Sequence, residues 1–254
     1  MSDLHGKTAM VVGASRGLGL GVAQALSGAG ASVVAVARGG SPSSDHPDTN
    51  RTIRFVRADA TDPVVAGTLL SAHQPDVLAL VAGASPLLRP FHHQTWETFS
   101  RNWEVDVRIA FNWLREVMLL PLQPGARVIV TGSMAEQAGS PLSGGYAASK
   151  RAIRFLTDYA QQESERGGLG IQITCVLPRL TPVTELGRLA TVAYAARFGM
   201  THEQFLQQSG DPLTAEVAGK AFVSLATGEV QPTGAYVLGP GGLSPLAALA
   251  GAPA

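Results

Sequence analysis

Three side chains at fixed spacing could together move a proton: Ser133, and the pair that bounds Tyr146-Ala147-Ala148-Ser149-Lys150. A separation of four residues puts the phenol and the ammonium on one face of a helix. A phenol ordinarily releases its proton near pH ~10, but an adjacent cation stabilises phenolate and makes the group a better acid or base nearer neutrality. Lys150 is placed to tune Tyr146 in this way. A hydroxyl at a strand end, as at Ser133, can hydrogen-bond a reacting carbonyl oxygen and stabilise the charge that develops there as hydride reaches carbon.

That chemistry needs a docked hydride donor, and the start of the chain offers a place for one. The apolar run Thr8–Val12 leads into Gly13-Ala14-Ser15-Arg16-Gly17-Leu18-Gly19, and Leu20–Ala29 follows with helical spacing. The pattern is strand, glycine turn, helix. A helix N-terminus presents unpaired N–H groups, and glycines let a pyrophosphate approach that backbone closely. Gly13, Gly17 and Gly19 suit this role, in a context that makes the turn more specific than a lone glycine motif. After the second apolar run the chain reads Ala37-Arg38, where an acidic residue would favour an unphosphorylated ribose. Arg16 and Arg38 together would clamp a 2′-phosphate, which favours NADP(H) over NAD(H).

Further elements must position these groups. Strands are expected at Ser32–Ala37, Ile53–Ala58, Val77–Ala82, Arg127–Thr131, Ile171–Leu177 and Ala235–Leu238, which with the first makes seven. Helices are expected at Pro63–His73, as one long stretch from Thr95 to Leu120, and at Tyr146–Glu165. Thr61 or Asp62 before Pro63 reads as a helix cap. Strands alternating with helices imply a parallel sheet in an α/β domain. The 254 residues fit one domain over 1–254, with Gly39–Asn50 as a surface loop.

Composition narrows the partners. Nineteen Lys and Arg offset nineteen Asp and Glu, so no overall positive field collects nucleic acid or anionic lipid. Apolar residues at 45% exclude a disordered chain. The single cysteine, Cys175, supports no internal disulfide, which suits a reducing, cytoplasmic location, and its place in a predicted strand suits a core residue. The first residues form neither a signal peptide nor a membrane span, and the apolar Leu243–Ala254 is too short to cross a bilayer and reads as a packed tail or subunit contact. His92-His93 lacks a third ligand at useful spacing and reads as a loop pair, so no metal site is expected.

In these motifs the chain resembles the short-chain dehydrogenase/reductase family, over nearly its whole length. Gly13-x-x-x-Gly17-x-Gly19 looks like the family's cofactor turn, Tyr146-x-x-x-Lys150 like its active motif, and Ser133 lies thirteen residues before the tyrosine. The resemblance implies a Rossmann-type, doubly wound, seven-stranded parallel sheet with helices on both faces, and a homotetramer or dimer. It also implies that Lys150 binds the nicotinamide ribose and Asp59 contacts adenine. Further cofactor contacts are expected from Ser15, Leu18, Ala60, Ala82, Gly83, Pro178, Arg179 and Thr181, with Thr184 as the alternative hydroxyl. Four positions depart from the pattern. Leu80-Val81-Ala82-Gly83 lacks the family's two asparagines, Val12 stands for a threonine, and Pro178-Arg179 for Pro-Gly. Asp106 stands where an asparagine helps hold a water beside the lysine; a carboxylate there either accepts from that water, or binds protons or holds Lys150 more firmly charged, so that the relay works with a shifted pH profile or not at all.

Arg179 has two readings: contact with an anionic substrate or cofactor phosphate, or a surface ion pair. Residues 180–210 would form a lid whose Leu186, Leu189, Val192, Tyr194, Phe198, Met200, Phe205 and Leu206 either line an apolar substrate cleft or simply pack. The leading function is an NADPH-dependent carbonyl reductase, or the reverse alcohol dehydrogenase, in which Tyr146 donates the proton and Asp106 serves the relay. Alternatives are an NADP-binding sensor or interaction protein without efficient catalysis, and a reductase of imines or other polarised double bonds.

Overall fold

In the computed structural model, residues 3–39, 53–230 and 234–246 are described. Parallel strands buried on both faces need continuous apolar runs rather than alternation, and β1 (Thr8–Val12), β2 (Ser32–Ala37) and β4 (Val77–Leu80) are of that kind. With β3 (Ile53–Arg57), β5 (Arg127–Thr131), β6 (Gln172–Pro178), β7 (Ala235–Gly239) and β8 (Gly242–Pro245) they form one sheet in the order β3-β2-β1-β4-β5-β6-β7-β8. All neighbours are parallel except β7 and β8.

The eighth strand corrects the expectation of seven parallel ones. Gly239-Pro240-Gly241-Gly242 turns tightly, with Gly242 at φ +96°, and sends the chain back antiparallel along β7. The remainder of the expected tail, 247–254, and most of the loop Gly39–Asn50 lie outside the described residues.

The helices form two layers. On one face α1 (Gly17–Gly28) packs against α9 (Ala215–Thr227). On the other lie α2 (Pro63–His73), α4 (Arg108–Leu119) and α6 (Gly144–Arg166). Asp62 caps α2 by accepting from the Val64 N–H. The expected long helix from Thr95 to Leu120 is interrupted: α3 (Trp96–Asn102) passes into a widened π turn at Trp103–Val107 before α4 begins. That turn carries Asp106 inward, and such bulges commonly re-aim a side chain into a site. The short α5 (Ala135–Ala138) follows β5, and α7 (Glu185–Arg197) and α8 (His202–Ser209) follow β6. No helix among the described residues is long and apolar enough to cross a membrane.

The core fixes the loops around the site as well as the sheet. Trp113 of α4 is fully buried and donates from its indole N–H to the Ala60 carbonyl at 3.1 Å, while the Asn112 amide donates to the Thr61 carbonyl at 2.9 Å. The turn after β3 is thereby pinned to the helix layer. Because β1 has β2 on one side and β4 on the other, the connections leave it in opposite directions and open a crevice at the strands' carboxyl ends.

Glycine is required at that switch point. A Cβ on Gly13 would lie 2.5 Å from both the nitrogen and the Cα of Ala82, with φ at +98° besides, and one on Gly19 would lie 2.1 Å from the Gly13 oxygen. Gly13→Ala is therefore expected to lower the unfolding free energy by about 3 kcal/mol. Gly28→Ala, with open space around it at the end of α1, should instead stabilise by about 0.5–1 kcal/mol, both read by urea denaturation.

Candidate active site

A cavity of about 790 Å³ opens at the switch point. One end is formed by the glycine turn. The first turn of α1 has no acidic residue and no side-chain cap, so its N–H groups face the cavity without a protein side-chain acceptor. Gly13, Ser15, Arg16, Gly17, Leu18 and Gly19 all line this end. Arg38, Asp59 and Ala60 border it beyond β2 and β3, and Ala82 and Gly83 beyond β4.

Asp59 accepts from both the N–H and the hydroxyl of Thr61, at 3.0 and 2.8 Å. Those two bonds hold its carboxyl below the usual range against a small cost of burial, and the Arg38 charge adds to the effect. Arg16 does not stand free at this end of the cavity. It pairs at 2.8 Å with Glu185 in the first turn of α7, and both side chains are exposed at the rim.

At the other end Ser133, Tyr146, Lys150 and Asp106 line the same cavity. Ser133 follows β5, and its oxygen accepts from the Ala135 N–H at 3.2 Å, which leaves its proton to be donated elsewhere. Tyr146 and Lys150 sit one turn apart on α6, with the lysine nitrogen 5.4 Å from the centre of the tyrosine ring. Lys150 donates to the Thr131 carbonyl at 3.3 Å and lies 3.4 Å from the Asp106 carboxylate, both partners of that ion pair being almost wholly buried. Burial by itself would push the lysine down. The charges of Asp106 and Tyr146, with the hydrogen bond to Asp106, outweigh it and hold the ammonium above lysine's ordinary value of 10.5.

Asp106 also replaces what β4 lacks. Its carboxylate accepts from the Ala84 N–H at 2.7 Å, while the Asn102 amide donates to the Ala84 carbonyl at 2.7 Å and lies 3.4 Å from Asp106. The backbone after β4, without the asparagines of the family pattern, is thus clamped from α3 and the π turn. Gly83 is needed for this approach, since a Cβ there would meet the carboxylate at 2.9 Å.

Pro178 ends β6 and Thr181 lies just beyond it; both border the cavity. Thr184 caps α7 by accepting from the Gly187 N–H at 3.1 Å, and its hydroxyl donates to the Thr181 carbonyl at 2.9 Å. Arg179 is exposed, runs beside Gly239 and lines the cavity, with no ion-pair partner among the described residues. Of the lid residues read as apolar, Leu186 and Tyr194 reach the cavity. Leu189, Val192 and Phe198 are exposed instead.

Three groups were not legible as site residues. Ser140 and Ser143, in the loop before α6, join the hydroxyl of Tyr194 at the cavity wall. Their spacing of three, repeated to Tyr146, was the available signal. Glu185, the partner of Arg16, had none. Outside the site, His92 and His93 form a single 3₁₀ turn, and the Cys175 thiol is buried in β6, which pushes it up to about 12.

Comparison with known proteins identifies the family. A family model described as short chain dehydrogenase matches residues 7–191, and the chain belongs to that family. It is 31% identical to an L-xylulose reductase of Mesocricetus auratus over 73% of this chain and 75% of the relative. It is 32% identical to an L-fucose dehydrogenase of Oryctolagus cuniculus over 87% and 79%. A short chain dehydrogenase of Burkholderia cenocepacia, solved in complex with NADP, shares the fold with a TM-score of 0.72 at 21% identity, covering 93% of this chain and 90% of that one.

The buried pair makes a measurable demand. Asp106→Ala leaves the Lys150 charge without its partner and should cost about 3–5 kcal/mol at pH 7. Because the lysine's value is raised on folding, this stabilisation is fully present below 10.5 and is lost as the pH climbs through the higher folded value. The stability gap between the two proteins, measured by urea denaturation from pH 7 to 11, should therefore narrow only at the alkaline end.

Proposed function

We propose that the chain is an NADP(H)-dependent oxidoreductase that interconverts a carbonyl compound and its alcohol. The observation that carries this is one cavity holding both the glycine turn Gly13–Gly19 and the Ser133–Tyr146–Lys150 group. The cradle fits a dinucleotide. Gly13 and Gly19 allow the turn to pack tightly where a Cβ would strike Ala82 or the Gly13 carbonyl, the N–H groups of the first helical turn have no side-chain cap, and Arg38 occupies the position where an acidic residue would repel a 2′-phosphate. The NADP complex of the structural neighbour supports the same choice, and the names of the relatives support carbonyl and hydroxyl chemistry.

When bound, the cofactor supplies or accepts hydride at its nicotinamide ring. The chain's own residues handle the oxygen and its proton. Ser133 donates its free proton as a hydrogen bond to the carbonyl oxygen, which polarises the carbon. Tyr146 then gives its phenolic proton to that oxygen. The Lys150 ammonium, fixed by Asp106 and the Thr131 carbonyl, stabilises the phenolate left behind. Asp106 and Lys150 stand where a proton relay to solvent would begin. Arg179 supplies a cation for a cofactor phosphate or a substrate anion. The segment 180–210 serves as the lid, and Thr181 offers its hydroxyl to the cofactor. The homo-oligomer implied by the family is supported by Phe155 and Tyr159, one turn apart on α6 and both more than half exposed.

Tyr146→Phe should abolish NADPH oxidation across a panel of ketones and aldehydes while leaving NADPH affinity within about threefold by calorimetry. Retained turnover would overturn the assignment, and binding without turnover in the wild type would favour a nucleotide sensor. Arg38→Ala should weaken NADPH binding by about 10–100-fold and leave NADH binding nearly unchanged, as expected for loss of a charge-assisted phosphate contact.

A further inference from the structure

The substrate end of the cavity carries a closed triangle of hydroxyls. Ser140 lies 2.6 Å from Ser143 and 2.5 Å from the Tyr194 hydroxyl, and Ser143 lies 3.0 Å from Tyr194. The Ser143 N–H adds a bond to the Ser140 oxygen at 3.1 Å. All three side chains line the cavity that contains Tyr146, and Ser143 is buried.

Three hydroxyls own three protons and six lone pairs. The three mutual contacts consume every proton and three lone pairs, whichever way each bond points, and the Ser143 N–H takes a fourth. Two lone pairs remain and no donor does. While the ring of three bonds stays closed the triangle can only accept, so a ligand that leaves it intact must bring an O–H or an N–H.

The triangle is also held from two sides. Ser143 is the N-cap of α6 and Tyr146 follows three residues later in its first turn, so both reach the cavity from the start of the same helix. From the opposite side the Tyr194 ring of α7 packs against Phe205 of α8, which stacks on Phe198. A donor that reaches the triangle and a carbonyl that meets Tyr146 can therefore belong to one ligand in one cavity.

We infer that the Ser140–Ser143–Tyr194 triangle selects carbonyl substrates that also carry a hydroxyl, a class that includes hydroxyketones and open-chain sugars. This rests on the carbonyl chemistry proposed above and adds the substrate class to it. A plain alkyl ketone would desolvate two acceptors without replacing their partners, which is why the hydroxylated compound is preferred.

The test compares NADPH-dependent reduction of 1-hydroxy-2-butanone and 4-hydroxy-2-butanone with that of 2-butanone, in the wild type, Tyr194→Phe and Ser140→Ala. The expected wild-type kcat/KM favours the better hydroxyketone by about 10–100-fold, and each variant brings that ratio to within about threefold of one. A wild-type ratio near one overturns the inference, as does a ratio that survives in both variants while all rates fall together, the signature of a merely structural lid contact. A second readout needs no turnover: calorimetric titration of the NADP⁺-loaded protein with 1,2-butanediol and 1-butanol. Tighter binding of the diol in the wild type and not in Tyr194→Phe upholds the triangle even if no ketone is reduced, whereas equal binding of both alcohols to both proteins removes it.

Discussion

A lysine ammonium held in a nearly dry site needs an opposite charge, and here Asp106 supplies it at 3.4 Å. Much of the local structure follows from that requirement. The π turn at Trp103–Val107 carries the carboxylate inward, the end of β5 offers the Thr131 carbonyl as a second partner, and Gly83 stays without a side chain so that the backbone after β4 can close on the same carboxylate. One pair thus joins α6, the π turn and two strand ends around the ring of Tyr146. Such a pair contributes less to net stability than its Coulomb attraction suggests, because both ions lose water. Its stronger effect is positional: the ammonium has nowhere else to go.

The opposite end of the cavity is governed by steric closeness rather than charge. Gly13 touches the backbone of Ala82 across the gap between β1 and β4, and Gly19 packs onto the Gly13 carbonyl, so the first turn of α1 sits directly over the crevice. The beginning of α7 closes over that turn. Thr184 approaches Gly17, and Glu185 holds Arg16 at the rim. Both rim side chains are exposed, so their ion pair is weak and exchangeable.

Much of this arrangement is legible in the sequence because it is local. Tyr146 and Lys150 share a helix face by spacing alone, the glycines of residues 13–19 follow an apolar run, and the buried parallel strands announce themselves as unbroken Val and Ala stretches. Lysine at 150 has a role evident from spacing alone; Asp106, 44 residues earlier, comes beside it only through the family resemblance, because it reaches the lysine through a helical irregularity that no local pattern shows. The same holds for Tyr194, which reads as one more apolar lid residue until the fold sets its hydroxyl against Ser140 and Ser143. The antiparallel β8 was hidden by a run of glycines and a short apolar segment that a tail would carry equally well. Pairings across long sequence separations, not propensities, account for each of these.

The central claim is that Lys150 remains a charged ammonium inside the site because Asp106 compensates it. The most direct measurement is the ¹⁵N resonance of the Lys150 side chain, assigned by comparison with Lys150→Arg, followed against pH in the wild type and in Asp106→Asn. The account predicts an ammonium signal that persists beyond 10.5 in the wild type and titrates at lower pH once the carboxylate is gone. A neutral amine at pH 8 in the wild type, or one titration curve shared by both proteins, would contradict it.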